Sequence, residues 1–164
     1  MLNMKYNVLK ANLLDQQFND YLSNVRFPLL DYVAIGVQDT VHKKSTSLMS
    51  NTDWQNEFAY QNYAAYDPVR LTALHSSCNF FTFDQVICTN NSAKEVMLQR
   101  RRHGIESGFV LLERSLGYNY MITLGTGYKN FNAAKYYSEN KQSLLKIAAD
   151  LKYLIDPFIK NYKI

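Results

Sequence analysis

The sequence has few of the features that mark disulfide-bonded, metal-binding or membrane-spanning proteins. Its two cysteines, Cys78 and Cys88, belong to no Cys-x-x-Cys spacing or histidine cluster, and we expect reduced, buried thiols. No metal site, cofactor or disulfide framework is predicted. A run of about eighteen apolar residues never occurs, and the segment Met1 to Tyr6 lacks the apolar core of a signal peptide. A cytoplasmic location without membrane contact is therefore expected.

Catalytic signatures are also missing. His42, His75 and His103 lie far apart with no acid or cysteine at a catalytic spacing, and no Gly-x-Ser-x-Gly, P-loop or His-Glu-x-x-His sequence occurs. Chemistry on an acyl group would need a nucleophile paired with a base. The sequence therefore predicts that the chain is not an enzyme, and acyl-group catalysis is the least favoured function.

The charge pattern gives little support for nucleic-acid binding by this chain alone. The net charge is +4, and the basic residues are scattered except for the run Arg100 to Arg102. That run is interpreted as the solvated end of a helix, where positive charge meets the negative end of the helix dipole.

Aromatic side chains are abundant, with 13 tyrosines and 9 phenylalanines in 164 residues. The composition is 47% hydrophobic and 20% charged, which is typical of a globular protein. This length predicts a single domain, residues 1–164, built around one core.

Hydrophobic periodicity predicts helices before and after a sheet made of hairpins. Predicted helices cover Leu9–Val25, Trp54–Tyr66, a short segment from Asp67-Pro68, the stretch after Asn90 through Arg102, and Ala133–Ile155, with Pro157 ending or kinking the last one. Predicted strands cover Phe27–Val37, Val41–Met49, Phe109–Leu112 and Tyr118–Leu124, and Phe80–Phe83 is a further short apolar segment. The predicted fold class is α+β, an α-β-α sandwich whose central antiparallel sheet of about five strands carries helices on both faces.

The segment Trp54 to Pro68 carries the strongest chemical signal. An indole N–H can only donate a hydrogen bond, whereas the ionised carboxylate of Asp67 can only accept. Both groups are predicted at the ends of one apolar helix face, which suits a small amphipathic ligand such as an amide or lactone. A core anchor and a turn or capping residue are the structural alternatives for Trp54 and Asp67.

Three motifs follow one another at characteristic spacings. Trp54 is followed after three residues by Phe58 and after eight more by Asp67-Pro68-Val69, and the segments His103–Gly108 and Tyr120–Gly125 come later. Their order and spacing resemble the autoinducer-binding domain of LuxR-type quorum-sensing regulators, in which the last two motifs correspond to the last turn and strand. The resemblance covers roughly residues 10 to 160. It implies the same α+β fold and a pocket for an acyl-homoserine lactone.

By this resemblance, Trp54 would donate to the lactone carbonyl, Asp67 would accept from the ligand amide, and Thr123 would donate to the acyl carbonyl. Thr123 has the alternative of an ordinary strand residue. Three further positions depart from the family pattern, because Phe58 and Ser50 stand where tyrosines are usual and Phe83 where a tryptophan is usual. The complete set of candidate ligand-binding residues is Trp54, Asp67, Phe58, Thr123, Phe83, Val69, Tyr32 and Ser50, with no catalytic or metal-binding residue.

The resemblance implies a sensor for a small acylated signal, either within a transcription regulator or standing alone. Homodimerisation is expected, with the exposed part of the last helix as the candidate surface. DNA would be bound only through a C-terminal helix-turn-helix domain that these residues do not include. The alternative is a degenerate module of the same fold that binds no ligand and serves dimerisation or partner binding. We expect both Trp54 and Asp67 to face one enclosed apolar cavity between the sheet and the helices on one of its faces, and such a cavity would distinguish the two.

Overall fold

A computed structural model describes the backbone of residues 2–25 and 27–160, and the side chains of residues 13–25 and 27–159. The helices are α1 (Leu2–Asn24), α2 (Thr52–Tyr60), α3 (Pro68–His75), α4 (Asn91–Arg102) and α5 (Ala133–Lys160). The strands are β1 (Tyr32–Asp39), β2 (Lys44–Met49), β3 (Phe80–Thr82), β4 (Ser107–Ser115) and β5 (Tyr118–Thr126). Short 3₁₀ turns lie at Tyr63–Ala65 and Phe83–Gln85.

The five strands form one sheet in the order β2-β1-β5-β4-β3, and every neighbouring pair is antiparallel. The long β4–β5 hairpin turns at Leu116-Gly117, where Gly117 takes a φ of +84° that a side chain would disfavour. The predicted α+β class with five antiparallel strands is confirmed.

The chain divides into two compact units. The larger, Leu29–Asn140, contains the whole sheet, α2, α3, α4 and the first turns of α5. The smaller combines residues before Leu29 with those after Asn140. Within the smaller unit, the Asp150 carboxylate accepts hydrogen bonds from Lys146 at 2.7 Å and Tyr21 at 3.1 Å, and these bonds, Lys146 first, hold the pKa of Asp150 below its usual range.

In the larger unit, strand alternation gives the sheet two buried faces. Tyr32, Ala34 and Leu112 point to one face and belong to a cluster that includes buried residues of α2, α3 and α4. Phe109 points to the other face, where its ring lies 6.3 Å from the rings of both Tyr136 and Tyr137 in the first turns of α5. Helical residues therefore cover both faces of this sheet.

The helix predicted from Trp54 to Tyr66 is wrong in its second half. The described α2 ends at Tyr60, and Asn62 follows in the left-handed conformation with a φ of +54°, which asparagine tolerates better than most residues. Trp54 and Asp67 therefore lie on different elements. Asp67 is the N-cap of α3, and its Oδ1 accepts from the backbone N–H of Val69 at 3.1 Å.

Other boundaries shift where the backbone takes positive φ values. Leu29, with a φ of +67°, precedes β1, so the strand begins at Tyr32 rather than Phe27. Lys43 has a φ of +55°, and β2 begins after it at Lys44 rather than at the predicted Val41. The described α1 extends from Leu2 to Asn24, so it starts before the predicted Leu9.

The prediction that Pro157 ends or kinks the last helix is wrong for the described residues. The helix continues through Pro157 to Lys160, and the non-helical dihedrals lie at Asn140, with a φ of −118° and a ψ of 15°. Pro157 is exposed and lies in the last turn of the described helix, where its missing N–H removes only one backbone hydrogen bond. The apolar stripe predicted on this helix is confirmed by the burial of Leu144, Leu151 and Ile155.

Gly108 allows a close approach that a methyl group would prevent. A Cβ there would lie 2.5 Å from the carbonyl oxygen of Leu124 and 3.0 Å from the ring of Phe83. We expect Gly108→Ala to lower the free energy of unfolding by about 1–3 kcal/mol through overpacking, as measured by urea denaturation. Gly36→Ala is the matched control, because its Cβ would make only ordinary van der Waals contacts with Met121, at 3.5 Å and beyond. Equal stability of the two variants would contradict this reading of Gly108.

Candidate ligand-binding site

A cavity of about 380 Å³ lies in the larger unit, between one face of the sheet and helices α2, α3 and α4. Its rim includes the exposed residues Ser45, Thr46 and Asn62, so the cavity opens to solvent on that side. An enclosed pocket was expected, and the structure shows an open one. The buried residues that line it are Tyr32, Ala34, Val37, Phe58, Asp67, Val69, Ala73, Arg100, Leu112 and Thr123.

A buried ion pair forms the polar part of the cavity wall. The Oδ2 atom of Asp67 accepts from Nη2 of Arg100 at 2.9 Å, and the two residues are 2% and 4% exposed. The other carboxylate oxygen accepts from the backbone N–H of Val69. Because a buried carboxylate without partners would be costly, the cap and the guanidinium together explain how Asp67 is tolerated here.

The guanidinium of Arg100 also packs against two aromatic rings. Its central carbon lies 5.5 Å from the ring centroid of Trp54 and 5.6 Å from that of Phe83. Its Nη1 atom contacts the sulfur of Met97 at 2.9 Å. A planar, weakly hydrated cation suits such a site better than lysine would.

Arg100 is the site residue that the sequence interpretation missed. The run Arg100 to Arg102 was expected to be a solvated helix end, and this is wrong for Arg100, although Arg101 and Arg102 are exposed. Helical spacing carried the signal, because Arg100 continues the stripe of Ala93, Val96 and Met97, which are all buried.

Trp54 is fully buried behind the cavity wall, so the cavity reaches Asp67 but not Trp54. Its backbone N–H is capped by Asn51 Oδ1 at 2.9 Å, and its ring stacks on Tyr63 with centroids 5.8 Å apart. Phe58 meets the indole edge-on at 5.4 Å. Trp54 therefore packs as a core anchor, which was the structural alternative. Its ring also contacts the guanidinium of Arg100, which lines the cavity.

The hydroxyl of Tyr32 lies near the indole of Trp54 and near the ion pair. Burial raises the pKa of Tyr32 above its usual range, and the nearby Arg100 and the indole N–H oppose this shift only in part. The phenol therefore stays protonated at physiological pH. The indole N–H of Trp54 lies near the Tyr32 hydroxyl, but the geometry is not that of a hydrogen bond, and Trp54 Nε1 has no hydrogen-bond partner among the described residues.

A second polar contact was missed because it joins distant positions. His103 Nε2 lies 2.7 Å from Glu57 Oε2, and the His103 ring lies 5.3 Å from that of Trp54. Sequence spacing could not show this contact, because Glu57 and His103 are 46 positions apart. Asn51, the N-cap of α2, also contacts His103, because its Nδ2 donates to the carbonyl oxygen of His103 at 3.1 Å.

The remaining candidates divide by position. Phe58, Thr123, Val69 and Tyr32 line the cavity together with Asp67. Phe83 is buried against the guanidinium of Arg100 rather than on the cavity wall. Ser50 is also outside the wall, and its hydroxyl accepts from the backbone N–H of Val33 at 2.9 Å.

The described residues contain no group of three or more His, Cys, Asp or Glu side chains that could hold a metal ion. Cys78 is exposed and Cys88 half-buried, so the expectation of two buried thiols is wrong. No helix in the described part of the chain is long and apolar enough to cross a membrane.

Arg100→Gln should lower the free energy of unfolding by about 3–5 kcal/mol, because it leaves the Asp67 carboxylate buried without its cation. Arg101→Gln, one position along on the exposed side of the same helix, should change it by less than about 0.5 kcal/mol. Urea denaturation of both variants measures the difference. Equal changes in the two variants would show that the buried contact of Arg100 with Asp67 does not contribute to the free energy of unfolding.

Known proteins give a consistent assignment. The model of the autoinducer-binding domain family matches residues 16–150, which is most of the chain. No curated protein sequence matches significantly. A solved structure of CepR2 from Burkholderia cenocepacia, an N-acylhomoserine lactone dependent LuxR family transcription factor, matches with a TM-score of 0.59 and 12% identity over 77% of this chain and 73% of that one.

Two structures of SdiA are also similar. SdiA from Escherichia coli matches with a TM-score of 0.59 and 14% identity over 93% of this chain, and SdiA in complex with octanoyl-rac-glycerol matches with a TM-score of 0.60 and 14% identity over the same share. This chain covers 61% and 60% of those two chains. Structural similarity at such low sequence identity shows only a shared fold. The family model, by contrast, matches the amino-acid sequence of residues 16–150. The chain belongs to the autoinducer-binding domain family of LuxR-type regulators.

Proposed function

We propose that this domain binds a small acylated signal, an acyl-homoserine lactone or a related molecule, in the cavity beside Asp67 and Arg100. The observation that carries the proposal is the cavity itself, since a volume of about 380 Å³ with apolar walls and one buried polar cluster fits the general form of a ligand site. CepR2 is described as dependent on N-acylhomoserine lactone, and SdiA was solved with octanoyl-rac-glycerol. Both names support an acyl ligand.

Within this proposal, the acyl chain lies along the sheet face, against Phe58, Val69 and Thr123, and the head group lies near Tyr32 and Asp67. Trp54 and Phe83 act from behind the wall by holding the guanidinium of Arg100 in place. Ser50 supports the site through its hydrogen bond to β1. No catalytic step is proposed.

The two compact units are proposed to form one sensor domain, residues 1–164, because the family match from residue 16 to 150 includes parts of both. A cytoplasmic location and a homodimer are proposed with it. The dimer surface is the exposed side of α5, where Leu145 is 47% and Tyr153 83% exposed. DNA would be contacted only through a helix-turn-helix domain outside these residues.

The test is thermal unfolding with a panel of acyl-homoserine lactones and acyl glycerols of several chain lengths. A ligand present at about 100 times its Kd adds about 2.7 kcal/mol to the free energy of unfolding, which should raise the Tm by several degrees. Ala34→Phe, which fills the floor of the cavity, should abolish the shift. Leu116→Phe is the control, because Leu116 is fully exposed at the β4–β5 turn and does not line the cavity.

An unmoved Tm across the whole panel would contradict the proposed function. A shift that survives in Ala34→Phe would place the ligand elsewhere. Either result would favour the module that binds no ligand in this cavity.

A further inference from the structure

The sheet face that forms the cavity floor changes in polarity along the strands. Alternate residues of β1 and their partners in β5 share this face and line the cavity. They are, in order, Ala34, Gly36 and Gln38 in β1, opposite Thr123, Met121 and Asn119 in β5. The floor therefore has small or apolar side chains in its middle and two amide side chains at one end.

The edge strand adds a third polar side chain at that end. Ser45 of β2 pairs with Gln38, and Gln38 pairs on its other side with Asn119. All three line the cavity, and the two amide residues are half-buried. None of the three side chains makes a hydrogen bond to another residue in the described part of the chain. This set, Ser45, Gln38 and Asn119, is named the polar row, and its groups are available to a ligand.

The polar row lies at the opposite end of the cavity from Asp67. Arg114 pairs with Asn119 across the β4–β5 hairpin and donates to the carbonyl oxygens of Ser76 and Cys78. Ser76 is the C-cap of α3, whereas Asp67 is its N-cap. Helix α3 therefore runs over the floor from the ion pair towards the polar row.

Two elements give the same length for this path. Thr123 pairs with Ala34, two positions from Tyr32, which lies near the ion pair. The four residues from Thr123 to Asn119 span about 14 Å at the rise of an antiparallel strand. The nine residues from Asp67 to Ser76 also span about 14 Å at the rise of a helix. With carbon–carbon bonds of about 1.5 Å, an extended chain of roughly ten carbons covers that distance.

Resting on the proposed function, we propose that the signal carries a terminal hydroxyl at the far end of its acyl chain and that the polar row binds this hydroxyl. The amides of Gln38 and Asn119 can each donate and accept, and a hydroxyl can do both as well. A plain chain of the same length would cover these amides without bonding to them, which is unfavourable. A terminal carboxylate would leave water for a row that carries no charge, which is also unfavourable.

Isothermal titration calorimetry of the unmodified chain with matched pairs of ligands tests this proposal. The pairs are hexanoyl, octanoyl and decanoyl chains on homoserine lactone and on glycerol, each with and without a hydroxyl on the last carbon. The head group is the same within a pair, so the affinity ratio reports the hydroxyl alone. At the decanoyl length, the hydroxyl should raise the affinity about five- to tenfold. At the hexanoyl length it should lower the affinity, because it would lie against the apolar middle of the floor.

The outcomes separate the inference from the proposed function. A ratio near one at every length would show that the chain end meets only solvent, which overturns the inference and leaves the proposed function standing. A ratio that is highest for the hexanoyl pair would also overturn the role of the polar row. Absence of binding for every ligand on both head groups would overturn the inference and the proposed function together.

Two variants identify the partner of the hydroxyl. Gln38→Met keeps the length of the side chain and removes its amide, and Asn119→Leu makes the corresponding change on β5, so the test does not depend on one variant folding. In each folded variant the decanoyl ratio should fall towards one, while the plain chain should bind as well as before or tighter. Gln17→Met, at an exposed position of α1, is the control and should keep the full ratio. A full ratio in the folded Gln38 and Asn119 variants would overturn the proposal.

Discussion

The buried contact between Asp67 and Arg100 is the interaction on which the site depends. It joins Asp67, the N-cap of α3, to Arg100 in the last turn of α4. Removing both charges from water is costly, and the cost is offset only when each keeps its partner and its further hydrogen bonds. The cap at Val69 and the aromatic rings of Trp54 and Phe83 supply that environment. The pair therefore links the start of α3 to α4 beside the cavity.

The Asp67 carboxylate has a structural role in this arrangement. Each of its oxygens accepts a hydrogen bond from within the protein, one from Val69 and one from Arg100. The sequence resemblance implied that Asp67 accepts from a ligand amide, and this stays a prediction. Each oxygen keeps a further lone pair, so the contact with Arg100 leaves room for a ligand donor.

Much of the fold follows from local sequence signals. Hydrophobic periodicity predicted the helices and strands, and the helix expected after Asn90 is α4, with Asn90 as its N-cap. The site was harder to predict from the sequence, because its contacts join residues that are far apart along the chain. Asp67 pairs with Arg100, 33 positions away, and Glu57 pairs with His103, 46 positions away. Spacing along one element cannot reveal such partners. The buried stripe of α4 did point to Arg100, since a charged residue at a core position of a helix needs a partner.

The most direct measurement is a double-mutant cycle on the ion pair. Asp67→Asn, Arg100→Gln and the combined variant would be compared with the parent chain by urea denaturation. If the pair organises the site, each single change leaves one buried charge alone, and the combined change costs less than the sum of the two by about 2–3 kcal/mol. Additive costs within about 0.5 kcal/mol would show that the two residues act independently, and the central role given to their contact would be contradicted.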